Sequence, residues 1–267
     1  MAVYITGDIH GQLNRFLELR RFCKMHDLTN KDWVICLGDV GLNYYGDQND
    51  EVTKSIAATI PANLFCIHGN HEFRPSKKCG YHTRKINGNI TGRVWWDAKY
   101  PNQFFAIDGE VYKIIADHEE FNVLVCGGAY SVDKYYRLEH GWNWFPDEQP
   151  DEKIKKTVMK AVCPDIDFVL THTCPTSYIP TELFLEGIDQ SKVDKSTEEF
   201  LEDVLNMFKE SSKDIMSKIP PWDLKHHQGE NLPHWYFGHY HGEKYTKNYT
   251  MLYKDIIPFG YKENTNG

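Results

Sequence analysis

Thirteen histidines are spread over the 267 residues, and several stand in short clusters with aspartate, asparagine and glycine. Asp8-x-His10 is the first such cluster, and Asp39 follows Gly38. Asn70 and His71 follow Gly69, His172 follows Thr171, and His239-x-His241 follows Gly238. Residues two apart on an extended segment point to the same side. Asp8 with His10, and His239 with His241, can therefore each present two donor atoms together. Asp8, His10, Asp39, Asn70, His172, His239 and His241 combine hard oxygens with borderline imidazole nitrogens. That mixture suits Mn, Fe, Zn or Co better than Ca or Cu(I). So many ligands exceed one tetrahedral ion and match two ions sharing a carboxylate. Asp39 is the natural bridge, because a carboxylate has two oxygens to share. Two adjacent metal ions are a common device for in-line displacement at phosphorus.

These residues follow short apolar runs. Ala2–Thr6, Trp33–Leu37, Asn63–Ile67, Asn122–Cys126, Phe168–Leu170 and Trp235–Phe237 each end abruptly in glycine or polar residues. Runs rich in β-branched and aromatic residues predict buried strands. Amphipathic patterns between them predict helices over 12–26, 50–60, 151–162 and 197–208. The last has Phe200, Leu201, Val204, Leu205 and Phe208 on one stripe, with Ser196 and Glu199 spaced as a capping box. Asp108-Gly109 between Gln103–Ile107 and Val111–Ala116 predicts a hairpin, continued by Asn122–Cys126. A final strand is expected within Tyr249–Ile257. Strands alternating with helices imply an α/β sheet, whose ligand sites form beyond the carboxyl ends of the strands. Neither a linker nor an internal repeat is visible. The reading is one domain over residues 1–267, with insertions near 131–150 and 175–228.

In order along the chain, Gly7-Asp8-Ile9-His10-Gly11, Gly38-Asp39, Gly69-Asn70-His71-Glu72, Thr171-His172 and Gly238-His239-Tyr240-His241 resemble the calcineurin-like metallophosphoesterase superfamily. The blocks span residues 7 to 241. The resemblance implies a layered α/β/β/α sandwich with the metal site at the carboxyl ends of its strands. It also implies that Asp8, His10, Asp39 and His241 hold one metal ion, and Asp39, Asn70, His172 and His239 the other. A hydroxide between the ions would attack phosphorus in line. His71 would be the general acid, a role that suits an imidazole of ordinary pKa near 6.5. The implied activity is hydrolysis of phosphate esters, as a phosphomonoesterase or nucleotide phosphohydrolase/phosphodiesterase, with Mn the first choice of metal. One branch is matched less well. The serine/threonine protein phosphatases place Asp, Arg and Gly where this chain has Leu42, Asn43 and Tyr44. The local partner for His71 and the local phosphate-binding arginine are both absent. Purple acid phosphatases have a metal-binding tyrosine at the position of Leu42, which is also absent. A protein phosphatase is therefore the second enzymatic reading, and a metal-binding scaffold without turnover the alternative of another class.

Another arginine must then meet the phosphate. Arg74 stands three residues after His71, and Arg137 lies in the aromatic stretch 130–145, expected on the same rim. An arginine fork suits phosphate oxygens. Arg137 is preferred, because Pro75 biases Arg74 towards an extended conformation. Tyr135 and Tyr136 are candidates for stacking on a base. His68 reads as a packed structural residue, and His226, His227 and His234 as solvated loop histidines. Glu72 either caps a turn or supports a ligand.

Composition sets the outer limits. Hydrophobic residues make up 41% and charged residues 25%, as in an ordinary globular chain. Thirty basic against 38 acidic residues give a net charge of −8, which disfavours a large nucleic-acid duplex as partner. A small phosphorylated substrate is expected instead. Seven scattered cysteines without a C-x-x-C pair predict reduced thiols. No apolar run reaches the roughly 18 residues of a membrane helix. The N-terminal residues carry no secretory pattern, so the expected compartment is the cytoplasm. Oligomeric state is not legible in the sequence.

Overall fold

Alternation of side chains along the strands divides the apolar residues into three cores. A computed structural model describes residues 1–218 and 232–260. The strands are β1 (Val3–Thr6), β2 (Trp33–Cys36), β3 (Asn63–Cys66), β4 (His82–Ile86), β5 (Ile90–Trp96), β6 (Gln103–Ala106) and β7 (Val111–Ala116). They continue as β8 (Glu119–Cys126), β9 (Phe168–Thr171), β10 (His234–Phe237), β11 (Lys244–Tyr245), β12 (Tyr249–Met251) and β13 (Ile256–Pro258). The helices are α1 (Leu13–Met25), α2 (Glu51–Ala57), α3 (Lys134–Glu139), α4 (Glu152–Ala161) and α5 (Ser196–Lys218).

One sheet runs β13-β1-β2-β3-β6-β5-β4, the other β5-β7-β8-β9-β10-β12-β11. Strand β5 belongs to both: Val94–Trp96 pair with β6, and Ile90 and Thr91 with β7. Val3, Ile5, Ile35, Phe65 and Ile67 of the first sheet meet Tyr112, Ile114, Val123, Phe168 and Tyr236 of the second in the central core. Their neighbours of opposite parity face the helices. Val34, Cys36, Leu64 and Cys66 pack with Phe16, Leu19 and Cys23 of α1. Leu124, Cys126, Val169 and Trp235 pack with Phe200, Leu201, Val204 and Leu205 of α5. A one-residue slip in any strand would exchange these sets. The result is the α/β/β/α layering. In the first sheet β1, β2, β3 and β6 are parallel, and in the second β8, β9, β10 and β12 are parallel. The carboxyl ends of these two parallel sets carry the clustered polar residues.

Several local expectations need correction. Gln103–Ile107 and Val111–Ala116 form no hairpin, because β6 and β7 each pair antiparallel with β5, in different sheets. Asp108-Gly109 is instead the crossing between sheets. The hairpin is β7–β8, turned at Asp117 and His118 with φ of 48° and 69°. The expected final strand is two, β12 and β13, on opposite sheets. The β4–β5 hairpin has no strong sequence signal, since β4 is a largely exposed edge. Helix α5 runs ten residues beyond Phe208. Its capping box does not form: the Ser196 hydroxyl donates to Gln149 Oε1, and Asp194 Oδ1 accepts the Ser196 N–H. His234 is buried in β10, with its ring nitrogens facing Lys247 O at 3.1 Å and Thr250 Oγ1 at 2.9 Å. All seven cysteines are free. Pro220, Pro221, His226 and His227 lie outside the described residues. Among the described residues, no helix is long and apolar enough to cross a membrane.

Candidate active site

Loops leaving β1 and β2 are stitched together before any side chain acts. Ile9 N–H and His10 N–H donate to Asp39 O, and Gly11 N–H donates to Val40 O. Two glycines let the loops close this far. A Cβ on Gly69 would overlap Asp39 Oδ1 and the Asp39 backbone nitrogen, and one on Gly238 would overlap Asp8 Oδ1. The small residue before Asn70 and before His239 is thus the space into which a neighbouring carboxylate fits. The backbone is also strained here. His10, Asp39, His239 and His241 have φ of 55°, 46°, 67° and 52°. Left-handed non-glycine residues of this kind collect at functional sites, where the surrounding structure holds them.

The structure brings all seven candidate donors and His71 together. Asp8 Oδ2 lies 3.2 Å from His241 Nε2 and 3.5 Å from His10 Nε2, and these two ring nitrogens are 2.9 Å apart. Asp39 Oδ2 lies 3.5 Å from His172 Nε2, 3.8 Å from His10 Nδ1 and 4.0 Å from His71 Nε2. The other Asp39 oxygen accepts the His71 backbone N–H at 2.7 Å. Asn70 Oδ1 faces His172 Nε2 at 2.8 Å and His239 Nδ1 at 3.1 Å. Asn70 is held that way round because its Nδ2 donates to Ser131 Oγ at 2.9 Å. His172 Nδ1 donates to Leu37 O at 2.7 Å, which leaves Nε2 aimed at the cluster. Such backbone anchoring of the remote nitrogen is how ligating histidines are oriented. Tyr253 stacks on the His241 ring, 4.7 Å between centroids.

Burial and crowding perturb the titration of these groups. Burial opposes charge on Asp8, yet His10 and His241 hold its carboxyl well below the usual range. Asp39 is likewise held down against burial, chiefly by His172 and His71. Burial disfavours a charged His172, but Asp39 outweighs this and pushes it up to about 9. Burial, with His172 beside it, drives His239 down to about 3. His71 is lowered mainly by burial, against Asp39, with Arg137 adding to the decrease. Glu72, fully enclosed and near Asp39, is pushed up to about 7. Its two oxygens accept the N–H groups of Val40 and Gly41, so it braces the loop that presents Asp39.

A cavity of about 510 Å³ opens over the cluster, with His10, Asp39, Asn70, His71, His239 and His241 on its floor. Arg137 lines it. Its Nε donates to Asp133 Oδ2 at 2.7 Å and its Nη1 to Asn143 O at 3.3 Å, which fixes the guanidinium beside His71. Arg74 is differently placed. It pairs with Asp108 Oδ2 at 2.5 Å and donates to the carbonyls of Asp147 and Gly127, tying three loops together. It is not among the residues that line the cavity. Tyr135 and Tyr136 are exposed outside the cavity, with Tyr136 stacked on His140. His68 is packed as expected, with Nε2 toward Asp147 O. Ser131 and Asp133 belong to the stretch 130–145 expected on the rim, whereas the segment 179–193 carries no expected site residue. Only the apolar Leu183, Phe184, Leu185 and Ile188, in a stretch without helical or strand period, offered a signal.

Among curated proteins none matches this chain. The family model for calcineurin-like phosphoesterases matches residues 1–257. A match of that extent, over both sheets and every strand end just described, means that the chain belongs to the calcineurin-like phosphoesterase family and is a metal-dependent hydrolase of phosphate esters.

Proposed function

We propose that the chain hydrolyses small phosphate esters at a centre of two divalent transition-metal ions, as a phosphomonoesterase or nucleotide phosphohydrolase/phosphodiesterase. One observation carries this reading: carboxylate and amide oxygens and imidazole nitrogens from five strand ends converge on one buried point. Asp8 Oδ2 is buried and has no hydrogen-bond partner. With Nδ1–H of His172 given to Leu37 O, a cation that displaces the Nε2 proton would meet that nitrogen's lone pair beside the oxygens of Asn70 and Asp39. A buried acceptor cluster is costly unless a cation fills it. Asp8, His10 and His241 already lie within ligand reach of one another, as do Asp8, Asp39 and His172. The donors fit one ion held by Asp8, His10, Asp39 and His241 and another held by Asp39, Asn70, His172 and His239. Asp39 serves both, and its oxygens with the imidazoles favour Mn, then Fe, Zn or Co.

When bound, such ions polarise phosphoryl oxygens and lower the pKa of water to about 7. The chain's own residues do the rest. In this reading His71, 19% exposed and lining the cavity, gives a proton to the leaving oxygen. On the same reading Arg137 of α3, 12% exposed, presents its guanidinium to the phosphoryl group. The cavity of about 510 Å³ has room for a small substrate. Leu42 is fully buried in the core, and Asn43 accepts the Tyr81 hydroxyl, so the positions that differ from the protein phosphatases serve packing.

Metal analysis of Mn-saturated protein tests the proposal. Two ions per chain are expected, and Asp39→Asn should lose both together with aryl phosphate hydrolysis. One ion per chain at saturation, or full activity after exhaustive chelation, would overturn it.

A further inference from the structure

Besides the polar floor and the residues Tyr130, Val132, Tyr240 and Tyr253, one segment gives the cavity most of its aliphatic lining. Ile179, Leu183, Phe184, Leu185, Ile188 and Val193 all line the cavity. The segment is irregular, with single 3₁₀ turns at Thr176–Tyr178, Thr181–Leu183 and Gln190–Lys192. It is nevertheless anchored. Ser177 N–H donates to Glu202 Oε2 of α5, the Tyr178 ring packs on Tyr249 at 4.6 Å, and Glu182 pairs with Lys244. These contacts tie down the start of the segment, up to Glu182. Leu183 and Leu185 are 39% and 65% exposed, leaving large apolar side chains uncovered at the cavity. A volume of about 510 Å³ lies within the range of about 300–1,000 Å³ that encloses an organic ligand. A phosphoryl group on the floor leaves most of it to the rest of the substrate.

Charge narrows the class further. Apart from the proposed metal ligands and His71, the charged lining residues are Asp133, Arg137, Lys195 and Glu198. Two acids balance two bases. Arg137 is paired with Asp133, and Lys195 Nζ lies over the Phe184 ring at 5.8 Å. No surplus of positive charge remains above the floor for a second or third phosphate.

We infer that the segment 179–193 is the leaving-group subsite, and that the preferred substrates are monophosphate esters of an uncharged apolar group, aryl or branched alkyl. The phosphoryl group sits on the donor cluster beside Arg137, and the apolar group covers Leu183 and Leu185. The inference rests on the phosphoesterase reading of the same site, and it adds which half of the substrate confers selectivity.

Binding of non-hydrolysable phosphonates to Mn-saturated protein, measured by calorimetry, separates the two. Naphthylmethylphosphonate should bind at least about tenfold more tightly than methylphosphonate, from the apolar area of two fused rings at about 25 cal/mol per Å². Leu183→Ser with Leu185→Ser should bring that ratio within about threefold and leave methylphosphonate affinity unchanged. Both leucines are exposed, so the melting temperature should hold. Leu185→Ser alone, at the more exposed position, should lower the ratio in the same direction. Equal binding of the two phosphonates by the wild type, or a ratio unchanged in both variants, would overturn the subsite and leave the phosphoesterase reading standing. Tighter binding of a nucleoside phosphonate than of the naphthyl compound would also overturn it. If neither phosphonate binds, the reading of the donor cluster as a phosphate site fails and the subsite falls with it.

Discussion

Gly69→Ala isolates how closely the site is packed. The Gly69 backbone does not lie in the left-handed region, so alanine meets no conformational barrier. Its added methyl group would land on Asp39, at Oδ1 and the backbone nitrogen. Neither can retreat easily. Oδ1 accepts the His71 N–H at 2.7 Å, and Asp39 O accepts from Ile9 and His10. Overpacking of this kind costs about 1–3 kcal/mol, which should appear as lower stability of the metal-free protein. The catalytic effect should be larger than the fold effect. Asp39 Oδ2 sits 3.5–4.0 Å from His10, His71 and His172, so moving it displaces the proposed shared ligand of both ions. A misplacement of about 1 Å at a reacting centre can cost about 10²-fold. The assay pairs metal content after Mn saturation with kcat/KM on an aryl phosphate and with melting of the chelated protein. Metal below two ions per chain and a loss of at least about 10²-fold are expected. Wild-type metal content with less than about threefold loss would refute the argument that the glycine is there to admit Asp39.

Other perturbations probe separate groups. His71→Ala should keep its metal and lose about 10²–10⁴-fold on esters of poor leaving groups, with a smaller loss on nitrophenyl phosphate, which needs little protonation. Equal losses on both would show that His71 is not the acid. Arg137→Ala should lower kcat/KM by about 1.5–3 kcal/mol without loss of metal, the range for hydrogen bonds to charged groups; unchanged kinetics would remove the guanidinium from the phosphate. The metal-free protein should lose stability as pH rises from about 6.5 to 9, above the range in which His239 and His71, both held low, act in the opposite direction. Glu72, held at about 7, binds more protons folded than unfolded between about pH 4.5 and 7. His172, held at about 9, does so between about pH 6.5 and 9. Urea titrations check the slope, and Glu72→Gln, which removes a falling contribution, should make stability rise more steeply with pH between about 4.5 and 6.5.

The strand ends and their donors were legible in the sequence. Each follows a short apolar run that can only be a buried strand, and parallel strands bring their carboxyl ends to one edge. Asp8, Asp39, Asn70, His172 and His239 could thus be grouped although up to 231 residues separate them. The alternating parity of Val34 and Ile35, or of Leu124 and Val125, likewise marked which side of each strand faces helix and which faces the other sheet. Pairing partners were not legible. Asp108-Gly109 has the composition of a hairpin turn, but whether β6 and β7 pair depends on β5, a strand with a weak signal of its own that bridges both sheets. The two arginines show the same limit. Arg74 and Arg137 carry the same chemistry and both stand near site motifs. Arg74 meets Asp108 across a sheet crossing, whereas the turn of α3 sets Arg137 against Asp133 at the cavity. The apolar wall at 179–193 was the least legible part, because an irregular segment has no period and its position comes from contacts with Glu202, Lys244 and Tyr249. Local composition decides which residues can do chemistry at a strand end; only long-range packing decides which side chains stand opposite them.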